Sequence, residues 1–577
     1  MSFLICEKRK SVLNATGHCL VMGGPGSGKT TLALLKATKQ IEDGLLPGEN
    51  VLFLSFSRAA VSRIIDASKD KIPSDQIKIL SIQTFHSFFW QILQGYGYLL
   101  GSPKPLSIVP AHEEKAMSNG IDRGSKEWAA WEKTRLEMFY KQGLVCFDLF
   151  APMAAKTMIQ SKTIRDRIAK RYPLILVDEA QDTGVEQWRC VELLAEKSQV
   201  ICLADPQQMI YDFLPGVGPA RISQIQKALK PHEVDFGIEN NRSPGTEIAA
   251  FARDVLLGRV KGSGYKGVSR IRYDPHAEKR DIAIRRSIGI LIKRIKDETG
   301  NSPTSLAMIA SYGNGVAIIS SALQKDKPIA HQVLFDEAFT LLSSRVAAFL
   351  LEPKEENNHS NDVATLLELV GEAFRSKGNN AAQKKWSKCV LYANVCRKGT
   401  VPKFKIADAA GALITGARNR LFTGDPGRDW LSIKNDMKHI GEDSFMKVAA
   451  SLDYLVAFAR GRSIRDNLSE IWMQYGAYAG ARHALDVALA QEQLFSSGEM
   501  LKGIHVMNMH KCKGKQFDGL VLYRQQHHSP FVWRNEGVPH LYSRRLLHMT
   551  ITRAKSHVLV LDEAYPQCSI LCEHKLE

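Results

Sequence analysis

The chain has 577 residues, and at roughly 150 residues per domain that length implies about four structural units and excludes a single small domain. Its 77 Lys+Arg against 60 Asp+Glu leave a formal net charge of +17, which points to a polyanionic partner, nucleic acid first, and says nothing about fold. With 44% hydrophobic and 24% charged residues, the composition excludes global disorder, collagen-like repeats and low complexity.

From residue 17 to residue 205 short apolar runs alternate with amphipathic stretches, the pattern of a parallel sheet with crossover helices. Strands are expected over 18–22, 50–55, 78–82, 174–178 and 199–204. Between the third and fourth, residues 94–170 read as helical, with Trp128, Trp131, Leu136 and Phe139 at helical spacing, and are too long for a crossover. A second α/β region begins near Arg242, with strands over 268–273 and 305–309 and an apolar helix over 339–351. A charged, Asn-rich linker over 353–359 precedes a helical block reaching to about residue 500, and strands return at 504–507, 519–523 and 557–561. The fold expected is therefore α/β, with two parallel-sheet domains that each carry a mainly helical insertion.

No apolar run approaches the ~20 residues of a membrane span, and residues 1–10 lack the apolar stretch of a secretory signal. A cytoplasmic protein with no membrane partner is expected. The ten cysteines lack paired spacing and read as reduced thiols, and Cys568, Cys572 and His574 are too few for a closed zinc site.

Gly23-Gly24-Pro25-Gly26-Ser27-Gly28-Lys29-Thr30 matches the pattern G-x-x-x-x-G-K-[ST] and falls between an expected strand and a helix starting at Lys29. The glycines let backbone N–H groups and a helix N-terminus surround phosphate oxygens, Lys29 adds a point charge, and Thr30 ligates magnesium. With Thr31 these residues form the expected ATP-binding loop. The apolar run 174–177 ends in Asp178 and Glu179, placed to hold Mg2+ through water and to orient or deprotonate the attacking water, respectively.

Asp178-Glu179-Ala180-Gln181-Asp182 and the phosphate loop together resemble superfamily 1 helicases of the UvrD/Rep/PcrA type, and further motifs of that family recur in order. They are Leu54-Ser55-Phe56-Ser57-Arg58-Ala59-Ala60, Thr84-Phe85-His86-Ser87-Phe88, Ala204-Asp205-Pro206-Gln207-Gln208-Met209-Ile210-Tyr211, Glu239-Asn240-Asn241-Arg242-Ser243, Met509-His510-Lys511-Cys512-Lys513-Gly514-Lys515-Gln516-Phe517-Asp518 and the run from Arg544 to Lys555. The resemblance implies two RecA-like domains, 1A (1–93 and 171–238) and 2A (239–352 and 503–577), with insertions 1B (94–170) and 2B (353–502). It implies that Gln208 senses the γ-phosphate, that Arg242 and Arg553 neutralise transition-state charge from the second domain, and that Arg9 and Gln516 lie at the base and ribose. It also implies a single-strand channel lined by Phe56, Thr84, Phe85, His86, Tyr211, Phe213 and His510, and an ATP-driven 3′-to-5′ motor on single-stranded and 3′-tailed duplex DNA.

Departures from the family cluster around the base. Lys8 replaces the adenine-reading Gln, Asn241 the stacking aromatic and Gln516 the ribose-contacting Glu, so weakened discrimination among nucleoside triphosphates is expected. Phe213-Leu214 stand where the family has W-R. In length and in its compact second insertion the chain also resembles the helicase-like subunits of Gabija-type antiphage systems, which act with a nuclease partner. A DNA-stimulated NTPase that regulates such a partner is the alternative reading.

Overall fold

A computed structural model of the chain describes residues 5–56, 58–69, 77–103, 105–118, 121, 125–209, 217–218, 220–334, 338–377, 380–454, 462–494, 502–533 and 536–576. The chain forms two compact units: Met1–Tyr96, Ala151–Leu334 and Phe495–Glu577 make the larger, Gly97–Phe150 and Phe335–Leu494 the smaller.

The first sheet of the larger unit contains β1 (Cys19–Met22), β2 (Val51–Ser55) and β3 (Leu80–Thr84). Two further strands form a parallel pair, β4 (Ser107–Ile108) with β5 (Leu144–Val145), in the smaller unit. The first sheet is completed by β6 (Leu174–Val177), β7 (Gln199–Ala204) and β8 (His232–Asp235), in the order β3-β2-β6-β7-β1-β8, every pair parallel. Its inner strands are buried along their length, β2 and β6 at every residue, because crossover helices cover both faces. Helix Lys29–Glu42 buries Leu32, Ala33, Leu34 and Ala37 in the same core as Val21, Phe53, Leu176 and Leu203.

The second sheet follows the same plan. It contains β9 (Val268–Tyr273), β10 (Ser305–Ala310), β11 (Gln332–Leu334), β12 (Gly503–Asn508), β13 (Phe517–Arg524) and β14 (Ala554–Glu563), in the order β11-β12-β10-β13-β14-β9, again all parallel. The two-sheet α/β architecture is the one the sequence implies. Each expected strand is present with ends shifted by up to three residues; the third starts at Leu80 because Ile77–Ile79 form a 3-10 turn. Four strands lie outside those the sequence predicts: β4 and β5, two residues each within the stretch expected to be helical, and β8 and β11, short edge strands without an apolar run, in the first of which only Val234 is buried.

Apart from the β4–β5 pair, the described residues of the smaller unit are mainly helical. Helix Ala338–Leu351 is buried on all sides, which its apolar sequence requires, and packs on helix His359–Arg375. Helices Asn380–Cys396, Lys405–Arg418, Pro426–His439, Asp443–Ser451, Arg462–Tyr475 and Ala481–Leu494 complete this bundle. Trp131 and Phe139 are both buried, but Phe139 falls in a wider π-turn over Met138–Gln142 that follows helix Lys126–Glu137. Helix Lys162–Arg171, within the stretch read as an insertion, groups instead with the larger unit, burying Ile164 and Ile168 and packing on helix Val185–Ala195.

Candidate nucleotide site

The phosphate loop leaves the carboxyl end of β1 and enters helix Lys29–Glu42 through Gly28, which caps it with φ +90°. Gly26 also takes the left-handed conformation, φ +83°, and a Cβ there would come within 2.5 Å of Asn240 Oδ1 and 2.9 Å of Arg242 Cβ. Only glycine serves at that position, since strain and close approach both forbid a side chain. The partner segment is the chain leaving β8. Gly24 N donates to Gly237 O at 2.9 Å, and Asn241 N donates to Gly26 O at 2.8 Å.

Two further contacts fix the loop. Buried Arg9 donates to Ser27 O at 3.2 Å, pairs with Glu239 and lies 4.9 Å from the Phe236 ring centroid. Lys29 Nζ donates to the carbonyls of Gly23 and Gly24. The N-terminal amides of the helix, with half-buried Thr30 and Thr31 in its first turn, make an anion cradle.

The carboxylates stand at the ends of neighbouring strands. Asp178, buried after β6, accepts from Ser55 Oγ at 3.3 Å. With the Thr30 hydroxyl it offers oxygen ligands suited to magnesium, which takes few protein ligands and completes its shell with phosphate and water. Glu179 has φ +51°, a left-handed conformation rare outside glycine. Burial pushes its pKa up, but Lys513, Lys29, a hydrogen bond from Gln181 and Arg553 outweigh burial and hold it at about 2. Glu179 is thus a firmly ionised acceptor, suited to orienting a water molecule.

A buried polar network links these groups to the second sheet. Gln181 Nε2 donates to Glu179 Oε2 at 2.6 Å, and its Oε1 accepts from Asp205 N at 3.0 Å. Asp205 in turn accepts from the Gln208 side chain and from Gln207 N at 3.0 Å. Arg553, 2% exposed, donates to Gln208 Oε1. Lys513 Nζ pairs with buried Asp182 and donates to Gln208 O at 3.4 Å. Arg242, beside Gly26, donates from Nη1 to the carbonyl of Thr552, the residue before Arg553, at 2.7 Å. Glu179, Gln208, Arg242, Arg553 and Lys29 therefore converge on the phosphate loop and its neighbouring strand ends. Lys513, Asp182 and Gln181 carry no expected role from sequence although all lie within the quoted motifs, because a motif shows which residues recur and not which of them touch. Burial raises the Asp182 pKa to about 7 against the pull of Lys513, with help from the Glu179 and Asp205 charges.

The strand-contacting candidates are placed less uniformly. Phe56 follows β2 and His86 follows β3, both half-buried at the same carboxyl edge as the phosphate loop. Phe85 is 1% exposed and packs 5.9 Å from Phe89, so it is a core residue and presents no face to a base. The apolar face of helix Phe85–Tyr96 draws it inward. Thr84, also buried, caps that helix, accepting from Ser87 N at 3.1 Å. His510 is held by Tyr542 Oη at 2.8 Å and lies in a cluster with Trp533, while Gln516 is half-buried before β13. Tyr211 and Phe213 lie outside the described residues.

Fold and site define a P-loop protein with two RecA-like parallel-sheet domains whose polar groups meet around the phosphate loop. The chain matches the UvrD/REP helicase N-terminal domain family over residues 4–144 and 138–232. It is 26% identical over 294 residues to DNA helicase II of Haemophilus influenzae, covering 43% of this chain and 40% of that protein. It is 23% identical over 305 residues to the ATP-dependent DNA helicase Rep of Buchnera aphidicola, covering 46% and 47%. YjcD of Bacillus subtilis is 23% identical over 367 residues, covering 55% and 47%. The chain thus spans less than half the length of these curated relatives. The crystal structure of Pif1 helicase from Candida albicans aligns at 14% identity with a TM-score of 0.30, covering 57% of this chain and 56% of that one. Among the described residues no helix is long and apolar enough to cross a membrane.

Proposed function

We propose that the protein hydrolyses ATP at this composite site and converts each cycle into 3′-to-5′ movement along single-stranded DNA, separating duplex ahead of it. The observation that carries the reading is the buried bridge from Asp182 and Gln208 of the first sheet to Lys513 and Arg553 of the second. Phosphoryl transfer needs positioned cations where charge builds, and here they reside on the second sheet, so closing the bridge and hydrolysing ATP become one event.

In that cycle the glycine loop and Lys29 hold the phosphates. Magnesium, bound through Thr30 and Asp178, would neutralise β- and γ-phosphate charge. Glu179 orients the attacking water, Gln208 relays the state of the γ-phosphate to Arg553, and Arg242 and Arg553 face the developing charge. The relatives named DNA helicase II and Rep support DNA as the track, and the polarity follows the UvrD-type resemblance.

Strand displacement on duplexes with 3′ or 5′ single-stranded tails tests the proposal. Wild type should unwind the 3′-tailed duplex, and Glu179→Gln should lower both unwinding and hydrolysis by about a hundredfold or more while still binding nucleotide. DNA-stimulated hydrolysis without strand separation would overturn the motor reading in favour of a regulatory NTPase.

A further inference from the structure

The chain that leaves Arg553 is not a regular strand. Phe517 of β13 pairs with Ala554 of β14, but Gly519 pairs with His557, so two steps along β13 face three along β14. The surplus residue makes a β-bulge at Lys555 and Ser556, directly after Arg553, and a bulge bends its strand and re-aims the side chains beside it. Gly267 receives the bulge: it takes φ +82°, its carbonyl accepts from Val558 N at 2.8 Å, and a Cβ there would come within 3.0 Å of Ser556 O.

One histidine closes the bulge. His557, 2% exposed, places Nε2 2.8 Å from Ser269 Oγ of β9 and Nδ1 3.0 Å from Glu298 Oε1, near the end of helix Ala277–Thr299. An ionised carboxylate only accepts, so Nδ1 carries the proton and Nε2 accepts from the Ser269 hydroxyl. Burial lowers the pKa of the imidazole against the pull of Glu298, which keeps the ring neutral. Gly519, opposite His557, lets the helix approach, since a Cβ there would overlap Ile295 Cδ1, and Glu298 lies three residues beyond Ile295 on the same helix face. Serine, histidine and carboxylate in this order are the parts of a nucleophilic triad, but Ser269 is 0% exposed and its hydroxyl meets no substrate. The three residues instead tie β9, β14 and the helix together.

What they hold in place is Arg553. Its carbonyl accepts from Phe517 N at 3.0 Å, just before the bulge, and its guanidinium donates to Gln208 Oε1. We infer that His557, held between Ser269 and Glu298, is a positioning residue that locks the bulge in β14 and so fixes the aim of Arg553. A misplacement of about 1 Å at a reacting centre can cost about a hundredfold in rate, so loss of this anchor is felt in turnover more than in nucleotide binding. The assignment rests on the hydrolysis reading above and extends it to a residue two positions beyond the last motif.

The test uses the full chain. His557→Leu should lower kcat for ATP by about tenfold or more and change KM by less than about twofold. Ser269→Ala, which deletes one hydroxyl, should lose about threefold in kcat and takes the place of His557→Leu in every arm if that variant does not fold. Tyr273→Phe is the control: it removes a buried hydrogen bond of 2.9 Å to Arg524 O at the other end of β9 and should leave kcat unchanged. Combined with Arg553→Ala, His557→Leu should cost nothing further. Wild-type turnover in His557→Leu, an additive loss in the double variant, or an equal loss in Tyr273→Phe would overturn the inference, since His557 would then serve the fold alone. If the wild type does not hydrolyse ATP, or Arg553→Ala does so at the wild-type rate, the hydrolysis reading fails and urea titration decides the inference by itself. Gln208→Ala and Arg553→Ala should then be coupled in stability when His557 is present and additive in His557→Leu. Coupling that survives His557→Leu would overturn the inference.

Discussion

In the first sheet the candidate site residues leave the carboxyl ends of strands: the glycine-rich loop after β1, Asp178 and Glu179 after β6, Asp205 and Gln208 after β7. The second sheet contributes mainly Lys513, after β12, and Arg553, immediately before β14, and both are cations. The first half therefore gathers buried carboxylates that Lys29 alone does not balance, while the second supplies the missing positive charge. Each half is electrically incomplete without the other. Parting them would leave buried charges seeking water or ligand, so closure is built into the charge pattern as well as into the packing.

Several changes would break or sharpen that contrast. The largest effect is expected at Lys513, 6% exposed at its side chain and paired with an Asp182 that is 0% exposed. Lys513→Ala leaves Asp182 buried without its partner and should cost about 3–5 kcal/mol of stability. Adding Asp182→Asn should return most of that stability, but not hydrolysis, in denaturant titrations and steady-state assays run side by side.

A smaller effect concerns pH. The folded-state pKa of Asp182, about 7, lies above its ordinary 3.8, so the folded chain binds this proton more tightly than the unfolded one. Its contribution to stability therefore falls as pH rises through that window. Glu179 acts oppositely, losing its contribution as pH falls from 4.5 towards about 2. Urea midpoints measured between about pH 4.5 and 8 should show a downward slope in wild type that flattens in Asp182→Asn.

The smallest effect is nucleotide choice. Lys8 Nζ donates to Asp235 O at 3.0 Å, and Arg9 is engaged by Ser27 O, Glu239 and the Phe236 ring. With both cations held by the protein and Asn241 where the family stacks an aromatic, kcat/KM should favour ATP over GTP or CTP by less than about tenfold. A preference of several hundredfold would show that other groups read the base.

The phosphate loop was legible because its chemistry is contiguous: glycines, lysine and threonine act within eight residues, between a strand and a helix. The acids after β6 were legible for the same reason. The pairing of Asp182 with Lys513 was not, since 331 residues separate them and spacing carries no information about contact at that range. β8 carries no strand signal, since His232, Glu233 and Asp235 are polar and exposed, yet it delivers Gly237 and Asn241 to the phosphate loop. Phe85 shows the converse failure: family position implied a base contact, whereas the apolar side of its helix buries the ring.

The central claim is that Gln208 and Arg553 act as one unit across the two sheets. ATP hydrolysis by Gln208→Ala, Arg553→Ala and the double variant forms a cycle that measures this directly. Coupling of about 1–3 kcal/mol, with the double variant little worse than Arg553→Ala alone, is the predicted result. Additivity within about 0.5 kcal/mol would contradict it, because the two side chains would then act independently.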